Sequence, residues 1–355
     1  MLMEDWHALR AFLRFGAAQQ GQRPKRGTGE EPGKIPHEIP DVVIERRGGR
    51  STLYAACDTT ALFLIGCEAY VRATGDREFI VRLLPEILWA FQYLRAHTLR
   101  GLFLEDPGFS RDSDFALWAT YWRDSGIPGR RDRRLTYPVA FLVVQAQLIA
   151  ALRGLMRLAH EDWFPVKVGH VEGILHAARQ AFREHFDEGE GFPSIAFDAV
   201  SFQGRENRFE GQPIRFLATD AAFALAFLEP DDVSDGYRVA VRDILARLET
   251  PWGWKTMQYE RGLPGAHVHH EPERIWPWEH AFIAEGLARH GMSDADHVAL
   301  RPAKVLEGTE VPFSEYLVID RAKVTPGGCH VQLWTVAYWS WVERRLSTSQ
   351  NHEAH

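Results

Sequence analysis

Cysteine is scarce. There are three in 355 residues, and Cys57, Cys67 and Cys329 lack the paired spacing of a zinc site and would leave one thiol over if a disulfide formed. A reducing cytoplasm is the simplest setting. Positive charge is not in excess either: 41 Lys and Arg stand against 48 Asp and Glu, a formal net charge of -7. Such a chain exerts no pull on phosphate backbones, so nucleic acid is not expected as a partner. The one dense cationic run, 129–134, is short and contains Asp132.

Long apolar runs are missing too. The most apolar stretch, Val139 to Leu152, is interrupted by Gln145 and Gln147 and ends at Arg153, too short and polar for a bilayer core of about 30 Å. The opening MLMEDWHALRAFLRFG has early acids and internal arginines, unlike a signal peptide. No membrane partner is expected. Also missing are a Gly-x-Gly-x-x-Gly between strand and helix, a Gly-Lys-Ser/Thr phosphate loop and a Gly-x-Ser-x-Gly elbow, which disfavours nucleotide use and serine hydrolysis. β-branched alternation is confined to short pieces such as DVVIE and EYLVID.

Aromatic residues are plentiful, with 12 Trp, 21 Phe and 9 Tyr. They serve either extra core packing or the stacking of sugar rings. Helical periodicity recurs in pairs. Asp58 can cap TTALFLIGCEAYVRATG, which stops at Gly75, and Asp76 restarts a run through Ala96. Further pairs are predicted over 138–160 with 165–186, 218–228 with 233–248, and from EHAFIAEGLARHG into a weaker helix. Lone helices open the chain (about 4–19) and close it (about 329–346). Between the pairs lie long segments, 97–136, 188–216, 249–277 and 305–328, of the kind that carry function. The pattern predicts an all-α toroid of helical hairpins with small β decorations in its loops, one domain over 1–355. The stretch 21–33 is expected as a flexible loop and 347–355 as a disordered tail.

Two loops could supply an acid and a base. LEDPGFSRDSDFALWATYWRDSGIPGR carries Glu105, Asp106, Asp112, Asp114 and Asp124 among Phe109, Trp118, Tyr121 and Trp122. A carboxyl desolvated among rings can stay protonated near neutrality, as protonating a glycosidic oxygen requires. Alternatively, Asp124 pairs with Arg123 on the surface. FSEYLVIDRAKVTPGGCHVQLWTVAYWSW carries Glu315, with Asp320 as the competing carboxylate. An acid and a base roughly 6.5–9.5 Å apart would give inversion, and about 5–5.5 Å retention. In PGAHVHHEPERIWPWEHAF, His267, His269, His270 and His280 lack a helical metal spacing, so no metal is assigned. Trp276 and Trp278 look like a stacking platform, though Trp276 fits a core anchor equally. No cofactor is implied.

Taken in order, GKIPHEI (33–39), CDTTALFLIGCEAYVRATGD (57–76), TYWRDS (120–125), RIWPWEHAFIAEGLARHG (274–291), and SEY followed by GCHVQLWTVAY (328–338) resemble the six-hairpin glycosidases. The likeness is strongest to the amylo-alpha-1,6-glucosidase domain of glycogen-debranching enzymes. It implies an (α/α)6 toroid and inverting hydrolysis of an α-glucosidic bond in a glucan or oligosaccharide. It places the general acid on Asp124 and the general base on Glu315, with His37, Glu38, Asp58, Trp122, Arg123, Trp276, Trp278, Gln332 and Trp334 in contact with sugar. Two departures stand out. The family's Gly-Arg-Asp segment is missing, as though the chain began at the second helix of the first hairpin, and TYPVAFLVV replaces Pro-Val-Glu-Ile. A carbohydrate-binding toroid lacking part of its pocket is the alternative.

Overall fold

Helices dominate a computed structural model of the chain, which describes residues 4–25, 28–38, 53–106, 121–123, 135–187, 191–204, 208–258, 273–292 and 296–353. Contacts divide it into two compact units. One comprises Asp5–Phe186 with Ala196–Ile214, the other Met1–Glu4, Asp187–Ile195 and Arg215–His355.

In the first unit, Asp5 caps α1 (Trp6–Ala18) by accepting the Ala8 N–H at 2.9 Å. Helix α2 (Thr59–Thr74) ends where Gly75 turns left-handed at φ 72° and returns its N–H to the Val71 carbonyl. Asp76 then caps α3 (Arg77–Arg82) through the Phe79 N–H. The single helix expected over 76–96 is broken at Leu83, and α4 (Leu84–Ala96) begins anew with Pro85 in its first turn. Proline has no N–H to continue the ladder, which makes this a natural restart.

A tight hairpin follows, β1 (Thr98–Leu99) with β2 (Leu102–Phe103), turning through Arg100 and Gly101 at positive φ. Then come β3 (Ala140–Phe141), α5 (Leu142–Ala159) and α6 (Val168–Phe182). Helix α5 packs on α2 and α6. Among the described residues it is the one helix long and apolar enough to cross a membrane, and 72% of it is buried. Its Gln145 is fully engaged: the side-chain amide donates to the Gly101 and Ala178 carbonyls at 2.8 and 3.0 Å and accepts the Phe103 N–H at 2.9 Å. β4 (Ala196–Gln203) and β5 (Arg208–Ile214) add to β3 as an antiparallel sheet, with a register shift between Asp198 and Ser201.

The stretch 21–33, expected to be a free loop, folds back on itself where described. Gly21 and Lys34 pair through a 2.9 Å backbone bond, Lys25 takes the Glu30 carbonyl at 2.9 Å, and Thr28 is buried.

The second unit contains β6 (Leu217–Ala218), α7 (Asp220–Ala224) and α8 (Asp235–Leu248), the last capped by Ser234 through the Tyr237 N–H. Helix α7 is shorter than the run 218–228 predicts. Past Ala224 the backbone bonds tighten to i−3, as from Leu225 to Ala222 and from Phe227 to Ala224. Strands β7 (Glu249–Thr250), β8 (Gly253–Trp254), β9 (Met257–Gln258) and β10 (Arg274–Ile275) precede α9 (Pro277–Arg289). After α10 (Asp296–Ala299) and α11 (Arg301–Glu307), β11 (Tyr316–Asp320) and β12 (Lys323–Gly327) form a hairpin that extends β10, and α12 (Leu333–Glu353) follows. Helix α12 runs through most of the expected tail. Ile275, Leu306 and Leu317 form a core beneath this sheet, flanked by Trp252 and Trp339. EYLVID is thus a strand, as expected, whereas DVVIE lies outside the described residues.

Candidate active site

Chemistry-bearing residues occur in each of the two units. In the first, the sequence starts α2 with Asp58, but the side chain does not cap it. Asp58 is 4% exposed and its Oδ2 accepts the backbone N–H of Trp122 at 3.0 Å. That bond ties the start of α2 to the TYWRDS segment. Tyr121 beneath it stacks on Phe141 with ring centroids 4.5 Å apart. Arg123 is not a surface cation: it is 1% exposed, with its guanidinium carbon 4.5 Å from the Trp122 ring centroid. Asp124 itself lies outside the described residues, as do Phe109, Asp112, Asp114 and Trp118.

Glu105 is the member of that acidic loop whose burial is clear. It is 1% exposed, with the Lys34 ammonium 3.7 Å from its Oε1, and burial, only partly offset by Lys34, pushes its carboxyl up. Lys34 is fully buried, also reaching Glu31 at 3.6 Å and facing the Tyr93 ring at 5.7 Å. Glu31 in turn holds His97 at 2.8 Å. No sequence motif flagged this pair, because its members come from segments far apart in the chain. His37 and Glu38, a few residues on, are exposed and bridge to Leu53 through the backbone.

In the second unit, Glu315 sits just before β11 and is clamped from α12's side. Its N–H donates to the Cys329 carbonyl at 2.9 Å, and the Cys329 N–H donates back to Glu315 Oε2 at 2.9 Å. The flanking carbonyls are held as well, Phe313 by the Gln332 N–H at 2.9 Å and Ser314 by the Thr335 hydroxyl at 2.8 Å. Asp320 is at the other end of the strand, paired in register with Lys323 and exposed. At about 3.3 Å per residue it is well removed from Glu315.

Gln332 caps α12's start, its side-chain oxygen accepting the Leu333 N–H at 3.0 Å. Trp334 is 45% exposed and meets Trp278 edge-on at 4.7 Å. Trp276 and Trp278 themselves are 6% and 4% exposed, so they are core anchors and not an open platform. Trp276 packs on Tyr316 at 5.1 Å, and Arg274 covers the Tyr316 ring at 4.1 Å.

His280 is buried and structural. Its Nδ1 meets the Trp276 carbonyl and its Nε2 accepts the Trp254 N–H, both at 2.8 Å, and burial lowers it to about 4. His267, His269 and His270 lie outside the described residues. Among the described residues no three His, Cys, Asp or Glu are grouped to hold a metal ion.

No protein-family model matches the chain. No curated protein matches it either. Solved structures do. The GH63 mannosylglycerate hydrolase from Thermus thermophilus in complex with Tris and D-glycerate aligns with a TM-score of 0.63 at 16% identity, covering 95% of this chain and 90% of that one. The same enzyme in complex with glucose gives 0.60 at 16%, covering 96% and 89%. A rhamnosidase from Klebsiella oxytoca with rhamnose bound gives 0.55 at 13%, covering 97% of this chain and 55% of that one. The chain thus shares the largely helical fold of that mannosylglycerate hydrolase and that rhamnosidase.

Proposed function

We propose that the chain is an inverting glycoside hydrolase acting on an α-glucosidic bond of a glucan or oligosaccharide. The observation that carries this reading is the Glu315 carboxylate clamped by the Cys329 N–H, with the half-exposed Trp334 in the first turn of the helix that follows. A carboxylate has about four acceptor positions, so one backbone N–H leaves capacity to take a proton from water. In this scheme Glu315 is the base that activates the water and Asp124 the acid that protonates the leaving oxygen. The position of Glu315 beside the start of α12 favours it over Asp320, which is at the hairpin's outer turn. The role of Asp124 rests on TYWRDS, and the adjoining Asp58–Trp122 bond supports an ordered entry to that acid.

A ring of six hairpins and a cytoplasmic setting belong to the same proposal. The fold shared with glycosidases supports the reaction class. Because the neighbours include a mannosylglycerate hydrolase and a rhamnosidase, mannosylglycerate and rhamnosides belong beside maltooligosaccharides and branched glucans in the substrate panel.

The test is hydrolysis of that panel by the purified protein, with the anomer first released followed by NMR. Inversion is expected, and Glu315→Gln and Asp124→Asn should each lower kcat by about 10²–10⁴-fold while the protein stays folded. First release of the retained anomer would overturn the mechanism. Binding of sugars without turnover would turn the reading into a carbohydrate-binding toroid.

A further inference from the structure

The β11–β12 hairpin brings its two flanking segments together at one point, and that point is the candidate base. Gly328 stands there at φ 72°, in the left-handed region. A β-carbon on it would lie 2.7 Å from Glu315 Cβ and 2.8 Å from the Tyr316 ring, and closer still to Glu315 Oε2. Tyr316 cannot yield readily: it is 8% exposed, with Arg274 over its face and Trp276 against it. The Glu315 carboxylate, together with the backbone that carries its Cβ, is what would have to shift.

We propose that Gly328 and Cys329 are positioning residues for the Glu315 carboxylate. Gly328 leaves the space the carboxylate occupies, and Cys329 holds Oε2 with its N–H at 2.9 Å while its carbonyl fixes the Glu315 N–H. This rests on Glu315 as the base and adds how that base is aimed. The Cys329 thiol responds to the same group: the charge of Glu315, then a hydrogen bond to it, then slight burial raise it above its usual 9.0. Cys329 is exposed while Cys57 and Cys67 are buried, so an alkylating probe reads this one thiol.

The experiment combines kinetics with labelling by iodoacetamide, in which the sulfur bonds to the CH2 carbon, iodide leaves and the thiol proton goes to solvent. Gly328→Ala and Gly328→Asn both add a β-carbon, but asparagine tolerates left-handed φ far better. Loss in the Asn variant therefore reports crowding of Glu315 rather than the left-handed φ alone. A kcat loss on the order of 10²-fold is expected in both, with KM nearly unchanged and near-UV circular dichroism preserved in the Asn variant.

Cys329 labelling at neutral pH should quicken severalfold in Glu315→Gln, which removes the charge, and also in Gly328→Asn, which moves it. Equal labelling in Glu315→Gln and the parent would overturn the contact whatever the activity. Full kcat in Gly328→Asn would overturn the positioning role. Full hydrolysis by Glu315→Gln would remove Glu315 as base, and the positioning role with it, and that failure is read from activity alone.

Discussion

The backbone N–H of Trp122 donates to Asp58 Oδ2 at 3.0 Å, joining residues 64 apart in sequence inside the first unit. A side chain placed to cap its own helix instead holds the segment that leads to the candidate acid. Asp58→Ala would leave that N–H without this acceptor in a half-buried setting, at a cost of about 1 kcal/mol. Urea unfolding should show a lower midpoint, and on the proposed mechanism kcat should fall further than Asp58→Asn makes it fall.

His97 and Glu31 give a pH-dependent prediction. Burial pushes His97 down, but the hydrogen bond and charge of Glu31 bring it net above 6.5. Burial pushes Glu31 up, but the His97 hydrogen bond and the charges of Lys34 and His97 bring it net below 4.5. The histidine's contribution is complete below 6.5 and is lost as pH rises through its raised value. That of the glutamate is complete above 4.5 and is lost as pH falls through its lowered value. The pair is therefore at full strength between about pH 4.5 and 6.5. His97→Gln should cost more stability at pH 6 than at pH 9, and thermal melts at the two values check it.

Trp278 and Trp334 touch, yet their replacement should read differently. Trp278→Ala empties a buried volume and should lose about 3–5 kcal/mol of stability. Trp334 is half exposed, and its alanine variant should keep most of the stability while raising KM by about 2–12-fold, the equivalent of about 0.5–1.5 kcal/mol of stacking. Calorimetry and steady-state kinetics on the pair separate an anchor from a sugar contact.

Gln145 on α5 serves three backbone groups. Gln145→Leu has similar volume but strands the Phe103 N–H and the Gly101 carbonyl, while the Ala178 carbonyl, inside α6, loses only its second donor. A loss of about 2 kcal/mol or more is expected by urea titration, since each buried orphan costs about 1–3 kcal/mol.

Much of the helical order was legible because its signals are local. Asp76 caps where its position says it should, and Gly75 turns left-handed just past α2. Pro85 explains the break between α3 and α4, although periodicity alone runs straight through it. The β4–β5 hairpin was not legible. Its strands carry few β-branched residues, and it is packed by rings from elsewhere, His185 stacking on Phe209 at 4.1 Å and Phe186 meeting Phe197 at 5.4 Å. At the site, Glu315 and Gln332 stood out because they flank a Gly-Gly turn and a helix start. The burial of Trp276, Trp278 and Arg123 depends on what folds over them, which neighbouring residues in sequence do not record. Nor could sequence separate Asp58 as a cap from Asp58 as an acceptor for Trp122, since both uses need the same residue at the same helix end.

The clasp between Glu315 and Cys329 spans only 14 residues, whereas Asp58 and Trp122 close a span of 64. Closing the longer loop costs about 1.3 kcal/mol more in chain entropy. The candidate base's geometry is therefore a property of a short contiguous stretch that can assemble early and tolerate damage at a distance. The Asp58 tether depends on the fold around it, and a destabilised molecule would lose that tether first.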